Sequence, residues 1–538
     1  MKKISILITF CFLALTACQS IESYNNQLQQ PIPVEKLHKD VDYSYKKLKQ
    51  LHPKLYWYIS KEKLDYKIDS LKQTIKQPMT GLAFYKELSP VLRSIGQGHL
   101  GISPTLKKLS KKELKLLKKR GKSPFNQLEL EFIDNKLIIL KNRSRHTTIK
   151  EAAEILSINN EFPTTLIEQY KRRVASDGYN QTFYNRYLGK YFGTFYTIDK
   201  GKIQDSLQLV IRQGDKDSLY VIKRDTFGTN TKESKVKLSK AEIKKRNKIW
   251  NKHGYNKDTK TNTRDLKYIG NDSITALLTI KQFSNGGFQK FYEDAFNELA
   301  KNGTQNLIID LRNNPGGRLM EIEYLYSYLV DKPYVFIDEY EVVSRTSKLH
   351  ADYFKGGGPV VKFFKIVAAP IFYSVNYLKV RKEGDRYISS NSFSKENKPK
   401  PNNFKGKIYV LINGGSFSAS SIISSNLKST KRAFFVGEET GGAYNGTVAA
   451  QMPLVQLPNS KVNLRIGLAL VSASHKTSEM EGRGIFPDKE IIPTYEDRKN
   501  NIDPELNWIL QDIKSEKEAK ELLKKNLQKS TEEPVKSE

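Results

Sequence analysis

The sequence predicts an α/β fold spread over several domains, with a mixed sheet in the last and largest of them. Three observations lead there. The chain has 538 residues, several times the about 150 that one domain usually takes. Hydrophobic residues make up 38% and charged residues 28%, the composition of a chain that buries cores, which excludes wholesale disorder. The apolar period also changes along the chain. It is helical over Val34–Ile102, strand-like from Leu128, and alternates between the two beyond residue 265.

Residues 1–18 begin Met-Lys-Lys, run apolar from Ile4 to Leu15 and end Thr16-Ala17-Cys18. A basic start, a short apolar run and small residues at its end describe a secretory signal peptide. The run is too short for a permanent span, which needs about 20 residues. The ending Leu15-Thr16-Ala17-Cys18 resembles a bacterial lipoprotein box, which implies cleavage before Cys18 and lipidation of Cys18. Cys11 falls inside the leader, so the two cysteines leave no disulfide framework and no Cys-based zinc site. Residues 19–33 read as a polar tether. The expected location is the bacterial cell envelope, with the membrane reached through the lipid. No later stretch is a clean span. Phe363–Leu378 comes nearest, and Lys365 and Pro370 interrupt it. The net charge of +32 permits contact with nucleic acid or anionic surfaces. A secretory leader excludes the first and favours the second.

The elements follow in order. Residues 34–105 form a helical region, with Leu37, Val41, Tyr45 and Leu48, then Leu64, Ile68, Leu71 and Ile75, at helical spacing. Pro53, Pro78 and Pro90 punctuate it, and it ends in Gly96-Gln97-Gly98-His99-Leu100-Gly101. Lys107–Lys122 is a basic, solvated connector. Residues 122–228 carry short strands such as Leu137–Leu140 and Leu207–Ile211. There Glu154–Asn160, leading into a helix, resembles part of a PDZ domain, although the aromatic insertion Tyr179–Phe195 separates it from the last strands. The resemblance implies capture of extended chain ends by strand addition. Asn230–Lys260 is a charged linker. Residues 265–497 alternate strands (Ser273–Ile280, Asn306–Leu311, Ile408–Ile412, Ala433–Val436) with helices (Phe288–Lys301, Ala419–Leu427). An insertion at 332–405 reads as a lid or a partner surface, and 498–538 as a charged tail.

Four segments carry candidate chemistry. Asp310-Leu311-Arg312-Asn313-Asn314-Pro315-Gly316-Gly317 joins a buried strand to a helix, and its paired glycines allow backbone N–H groups to face a cleft. Asn413-Gly414-Gly415-Ser416-Phe417-Ser418-Ala419-Ser420 does the same, with serines at a helix N-terminus, where developing negative charge is stabilised. His99 is one of only seven histidines and sits among glycines. Glu481-Gly482-Arg483-Gly484-Ile485-Phe486-Pro487-Asp488 is the fourth. Each segment alone also fits a turn or a helix cap.

Taken in order, with Gly437-Glu438-Glu439-Thr440 between the last two, these segments resemble the S41 family of serine peptidases, which includes the C-terminal processing and the tricorn-like peptidases. The resemblance implies an S41-type α/β peptidase core and a serine nucleophile, Ser418, with Ser416 as fallback. It also implies oxyanion donors from the backbone of Ala419 and of Gly316 or Gly317. Where the processing peptidases have their lysine base, this chain has Ala443, and a methyl group takes no proton. The tricorn-like branch supplies a histidine and a glutamate, matched here by His99 and Glu481, and a serine before that histidine, which is Gly98 here. His475 and Lys476 stay open as rival bases. Physically the trio is coherent. A serine hydroxyl needs a base, histidine supplies one, and a carboxylate fixes its tautomer.

The expected activity is hydrolysis of peptide bonds in peptides or unfolded proteins by an acyl-enzyme, with no metal and no cofactor. The alternative is an inactive peptide-binding lipoprotein on the same fold. An esterase of the α/β-hydrolase type lacks its motif, because Gly415-Ser416-Phe417-Ser418 breaks Gly-x-Ser-x-Gly.

Overall fold

The structure, a computed structural model, describes residues 20–227, 239–474 except 258, 271, 285 and 352–357, and 480–532. The candidate leader with Cys18 therefore lies outside the described residues, as do His475 and Lys476.

A short helix, Ile21–Gln27, lies in the segment read as a tether, and three longer helices follow it: Val34–Leu51, Lys61–Thr74 and Gly81–Arg93. The side chains of Ser60 and Thr80 cap the second and third by accepting the N–H groups of Lys63 and Ala83. Their apolar stripes do not close on one another alone. They share one core with Val455, Leu457, Val462, Leu464 and Ile466, from far down the chain. The strand Gly101–Ser103 pairs antiparallel with Asn463–Arg465, which pairs with Leu454–Gln456. Buried Asp40 ties the two ends together by accepting the N–H groups of Asn459 (3.1 Å) and Ser460 (2.6 Å). This long-range pairing carries His99, two residues before the strand, to the far part of the molecule.

The middle of the chain is a five-stranded antiparallel sheet in the order Leu128–Ile133, Lys136–Asn142, Glu154–Ile158, Ser206–Gln213, Lys216–Lys223. Alternation buries Leu207, Leu209 and Ile211 of one strand, and the helices Pro163–Lys171, Thr182–Lys190 and Phe192–Lys200 cover that face. The aromatic insertion is thus the second and third of these helices.

The last part is the mixed sheet, ordered Lys489–Glu490, Phe434–Gly437, Lys407–Ile412, Asn306–Asp310, Thr275–Ile280, Arg264–Ile269. All neighbours are parallel except the last pair. Helices Phe288–Lys301, Leu319–Tyr326 and Ala419–Ser429 bury against one face. The helix Pro504–Glu532 begins on the other, where Ile509 is buried and Trp508 stacks on Phe434. The segment read as a charged tail therefore contributes core. Arg312 joins that helix to the sheet by pairing with Asp310 (2.8 Å) and Asp503 (2.8 Å). The Asp-Leu-Arg part of the motif is therefore structural. From the insertion come the strands Tyr340–Val342, Val380–Glu383 and Arg386–Ser389, which extend a sheet with Ala469–Val471 and Thr447–Ala449.

Candidate active site

Ser418 is the last residue before the helix Ala419–Ser429 and has φ 60° and ψ −118°. A non-glycine residue there is strained, and such strain persists only where neighbours hold it. The neighbours here are the two Asn-Gly loops. Phe417 N–H and the Ser420 hydroxyl both donate to the Asn314 carbonyl at 3.0 Å. Asn413 Oδ1 accepts the N–H groups of Asn313 and Gly415, each at 2.9 Å. The strand-to-helix turn lifts the Ser418 hydroxyl out of the core as the hydrolase elbow does, without that motif's spacing.

His99 Nε2 lies 2.9 Å from Ser418 Oγ. The ring is buried and stacks on Phe417, centroids 4.9 Å apart. Gly98 makes that stacking possible, since a Cβ at this position would stand 2.6 Å from Phe417 Cζ. The other ring nitrogen, Nδ1, is 2.9 Å from Thr447 Oγ1. Thr447 Oγ1 is in turn 3.3 Å from Asp177 Oδ1, which also accepts the Gly98 N–H at 2.7 Å. An ionised carboxylate only accepts, so the Thr447 hydroxyl donates to Asp177 and turns its lone pair to His99. Nδ1 then carries the proton, and Nε2 is left to accept from Ser418. Neither Thr447 nor Asp177 was among the sequence candidates, and no motif marks them. Asp177 comes just before the aromatic insertion, and Thr447 opens a short strand of the insertion's sheet.

Burial pushes His99 down to about 3, with the nearby Arg465 guanidinium adding to it, so the ring is neutral at ordinary pH. Burial raises Asp177 to about 6. The N–H of Gly98, the Thr447 hydroxyl and the N–H of Ala443 hold it down against that rise.

Glu481 requires a correction. Its carboxylate is exposed and accepts the Trp57 Nε1–H at 2.6 Å, and Thr447 takes the place expected for it beside His99. The cause lies in its neighbours. Arg483 pairs with Glu439 (2.6 Å), Gly484 N–H donates to the same carboxylate (2.7 Å), and Gly482 O accepts the Tyr179 N–H (2.8 Å). These contacts fix the segment with position 481 outward. Gly316 requires another. Its N–H donates to Asn314 Oδ1 at 2.9 Å and is not open to an oxyanion. The N–H groups of Gly317 and Ala419 have no acceptor among the described residues. Gly317 N–H points away from Phe283, because the bridge there uses Gly316 O and Arg318 N–H. The space over Ala419 N–H is open because residue 316 lacks a side chain, since a Cβ there would come within 2.7 Å of that nitrogen. Ser416 is buried, and its hydroxyl donates to Leu311 O at 2.7 Å, which occupies it structurally.

A cleft of about 480 Å³ opens over Ser418 and His99. One wall is the aromatic insertion. Phe183, Tyr187, Tyr191 and Phe195 recur every four residues: Phe183 stacks on Tyr187 with centroids at 4.7 Å, Tyr191 lies tilted against Tyr187 at 4.9 Å, and Phe195 meets Tyr187 edge-on at 5.9 Å. No cluster of His, Cys, Asp and Glu able to hold a metal occurs among the described residues.

Residues 274–491 match the model of peptidase family S41. This part of the chain is similar to S41 peptidase domains. The matched segment contributes Ser418 and Thr447, while His99 and Asp177 come from the chain before it. A probable CtpA-like serine protease of Staphylococcus saprophyticus is 26% identical over 246 residues, 45% of this chain and 38% of that protein. One from Staphylococcus aureus is 24% identical over 243 residues, 45% of this chain and 33% of that protein. The chain thus spans less than half the length of these curated relatives. A broader likeness, one of fold, links it to the mature CPAF complexed with lactacystin. The TM-score is 0.56 at 15% identity, covering 87% of this chain and 95% of that one.

Proposed function

We propose that the protein is a serine endopeptidase that cleaves peptides or unfolded chains through an acyl-enzyme on Ser418. The observation that carries the reading is the 2.9 Å contact from His99 Nε2 to Ser418 Oγ, at a serine held in a strained turn. Ser418 attacks the scissile carbonyl carbon while its proton passes to His99 Nε2. The carbonyl oxygen, now negative, is held by the N–H groups of Gly317 and Ala419. His99 then gives its proton to the departing amine nitrogen. Water repeats the sequence on the ester, with His99 again as base. Thr447 and Asp177 act through His99, by fixing its tautomer and facing the imidazolium with a carboxylate one hydroxyl away. The aromatic wall favours substrates with apolar side chains beside the cleaved bond.

The location we propose is the bacterial envelope, on the lipoprotein reading of residues 1–18, and the sheet of residues 122–228 is the part we propose for capture of extended substrate. Hydrolysis of casein and of fluorogenic apolar peptides by the full chain, beside Ser418→Ala, tests the activity. The reading expects turnover in the first and none in the second, with both folded. Equal turnover in both would overturn it.

A further inference from the structure

The helix Pro359–Lys379 in the insertion has its apolar face turned the wrong way for a helix that serves a core. The stripe towards the body is Lys365, Ala369, Phe372, Tyr373 and Asn376, the only half-buried positions between Val360 and Lys379. Diametrically opposite, at spacings of three and four, run Val360, Phe364, Val367, Ile371, Val375 and Leu378. These are in solvent, with Phe364 64%, Ile371 71% and Leu378 81% exposed. A continuous exposed apolar stripe of this kind marks an interaction surface. At about 1.5 Å per residue it is some 30 Å long.

Charge decides the occupant. The helix holds Lys362, Lys365 and Lys379 and no carboxylate, and its lysines lie off the apolar stripe, towards the body. Arg345 sits over the Tyr377 ring and Lys348 bonds the side chain of Asn376, adding cations on the same side. A second copy brings the same cations, on a chain of net charge +32, so like charges oppose that pairing. An anionic lipid surface matches both halves of the pattern, with apolar side chains entering the acyl boundary and lysines meeting headgroups above it. Among the described residues no helix is long and apolar enough to cross a membrane.

We propose that the helix 359–379 is an interfacial element that seats the protein on an anionic membrane. It does so independently of any lipid on Cys18, and it rests on neither the peptidase reading nor the leader.

The test uses the full chain with Cys11→Ser, Cys18→Ser and Val367→Cys, its single thiol, at position 367, labelled with a nitrobenzoxadiazole dye. Vesicles of phosphatidylglycerol and phosphatidylcholine should shift the emission to the blue, and brominated acyl chains should quench it. Binding should be at least about tenfold tighter than to phosphatidylcholine alone and should weaken with salt. Phe364→Asp with Ile371→Asp, in a chain whose circular dichroism is unchanged, should abolish the shift. Because the dye reports from the helix itself, binding through the leader does not mimic the result. Unchanged emission on the anionic vesicles would overturn the proposal. So would a blue shift that grows with protein concentration in their absence, which would give the stripe to a second copy.

Discussion

Thr447 Oγ1 stands 2.9 Å from Nδ1 of His99, on the opposite side of the ring from Ser418. A hydroxyl in that place both accepts from the ring and donates to Asp177, 3.3 Å further on. It therefore passes the carboxylate's preference on to the imidazole, although the two are not in contact. The tautomer that leaves Nε2 free for the Ser418 proton is set by that hydroxyl.

Removing the hydroxyl while keeping the shape isolates its role. Thr447→Val should lower kcat by about 10²–10⁴-fold with KM little changed, as when a triad histidine loses its orienting group. Thr447→Ser should stay within about tenfold of the parent. Equal kcat in Thr447→Val and the parent would remove Thr447 from the account.

The pH profile should belong to Asp177. His99 is neutral above about 3, so its own titration lies below the working range. Asp177 presents a charged acceptor to the Thr447 hydroxyl only when ionised, which happens as pH rises through about 6. The acid limb of kcat/KM should therefore lie near 6, and in Asp177→Asn it should flatten at a reduced rate. A limb that persists in that variant would assign it elsewhere.

Stability carries the same shifts with opposite signs. The His99 value falls from 6.5 to about 3 on folding. The unfolded chain therefore binds the extra proton between these limits, and stability is lost as pH drops through that window. For Asp177 the value rises from 3.8 to about 6. The folded chain binds the extra proton, and this contribution is lost as pH rises through 6. Asp177→Asn should accordingly raise Tm more at pH 7.5 than at pH 4.5, read by thermal unfolding.

Much of this was legible in the sequence, for identifiable reasons. The strand–turn–helix junctions at Pro315-Gly316-Gly317 and Ser416-Phe417-Ser418 announce themselves because glycine and serine mark turns and caps. The helical region and the alternating core follow from period, and the pairing of His99 with Ser418 as candidates from the resemblance to the S41 family. The Thr447–Asp177 link could not be read. It is made by two ordinary residues about 270 positions apart, on segments joined where Gly178 N–H donates to Gly96 O and the Asn180 side chain donates to Thr440 O. Glu481 misled because its motif fits, while the neighbours that turn it outward act through Glu439 and the backbone of Gly482. The burying role of Pro504–Glu532 was hidden behind its charge, since only one face of its first turns is apolar.

Glu481→Gln should therefore stay within about twofold of the parent in kcat, with any change confined to the Trp57 contact and visible as tryptophan fluorescence. A loss of about 10³-fold, the order expected for a triad carboxylate, would restore Glu481 to the site.

Gly98→Ala tests the packing around the ring. Its Cβ would meet Phe417 Cζ at 2.6 Å and push the ring that supports His99. The expected cost is about 1–3 kcal/mol of stability, by chemical denaturation, together with at least a tenfold fall in kcat. Full activity would show that the Phe417 stack does not hold the base.

The central claim is that Ser418, activated by His99, is the nucleophile. The direct measurement is reaction of the folded full chain with a fluorophosphonate, followed by digestion and mass spectrometry of the labelled peptide. The account predicts one adduct, on Ser418, lost in Ser418→Ala and slowed by orders of magnitude in His99→Ala. Label on another serine, or none on a folded chain that hydrolyses peptides, would contradict it.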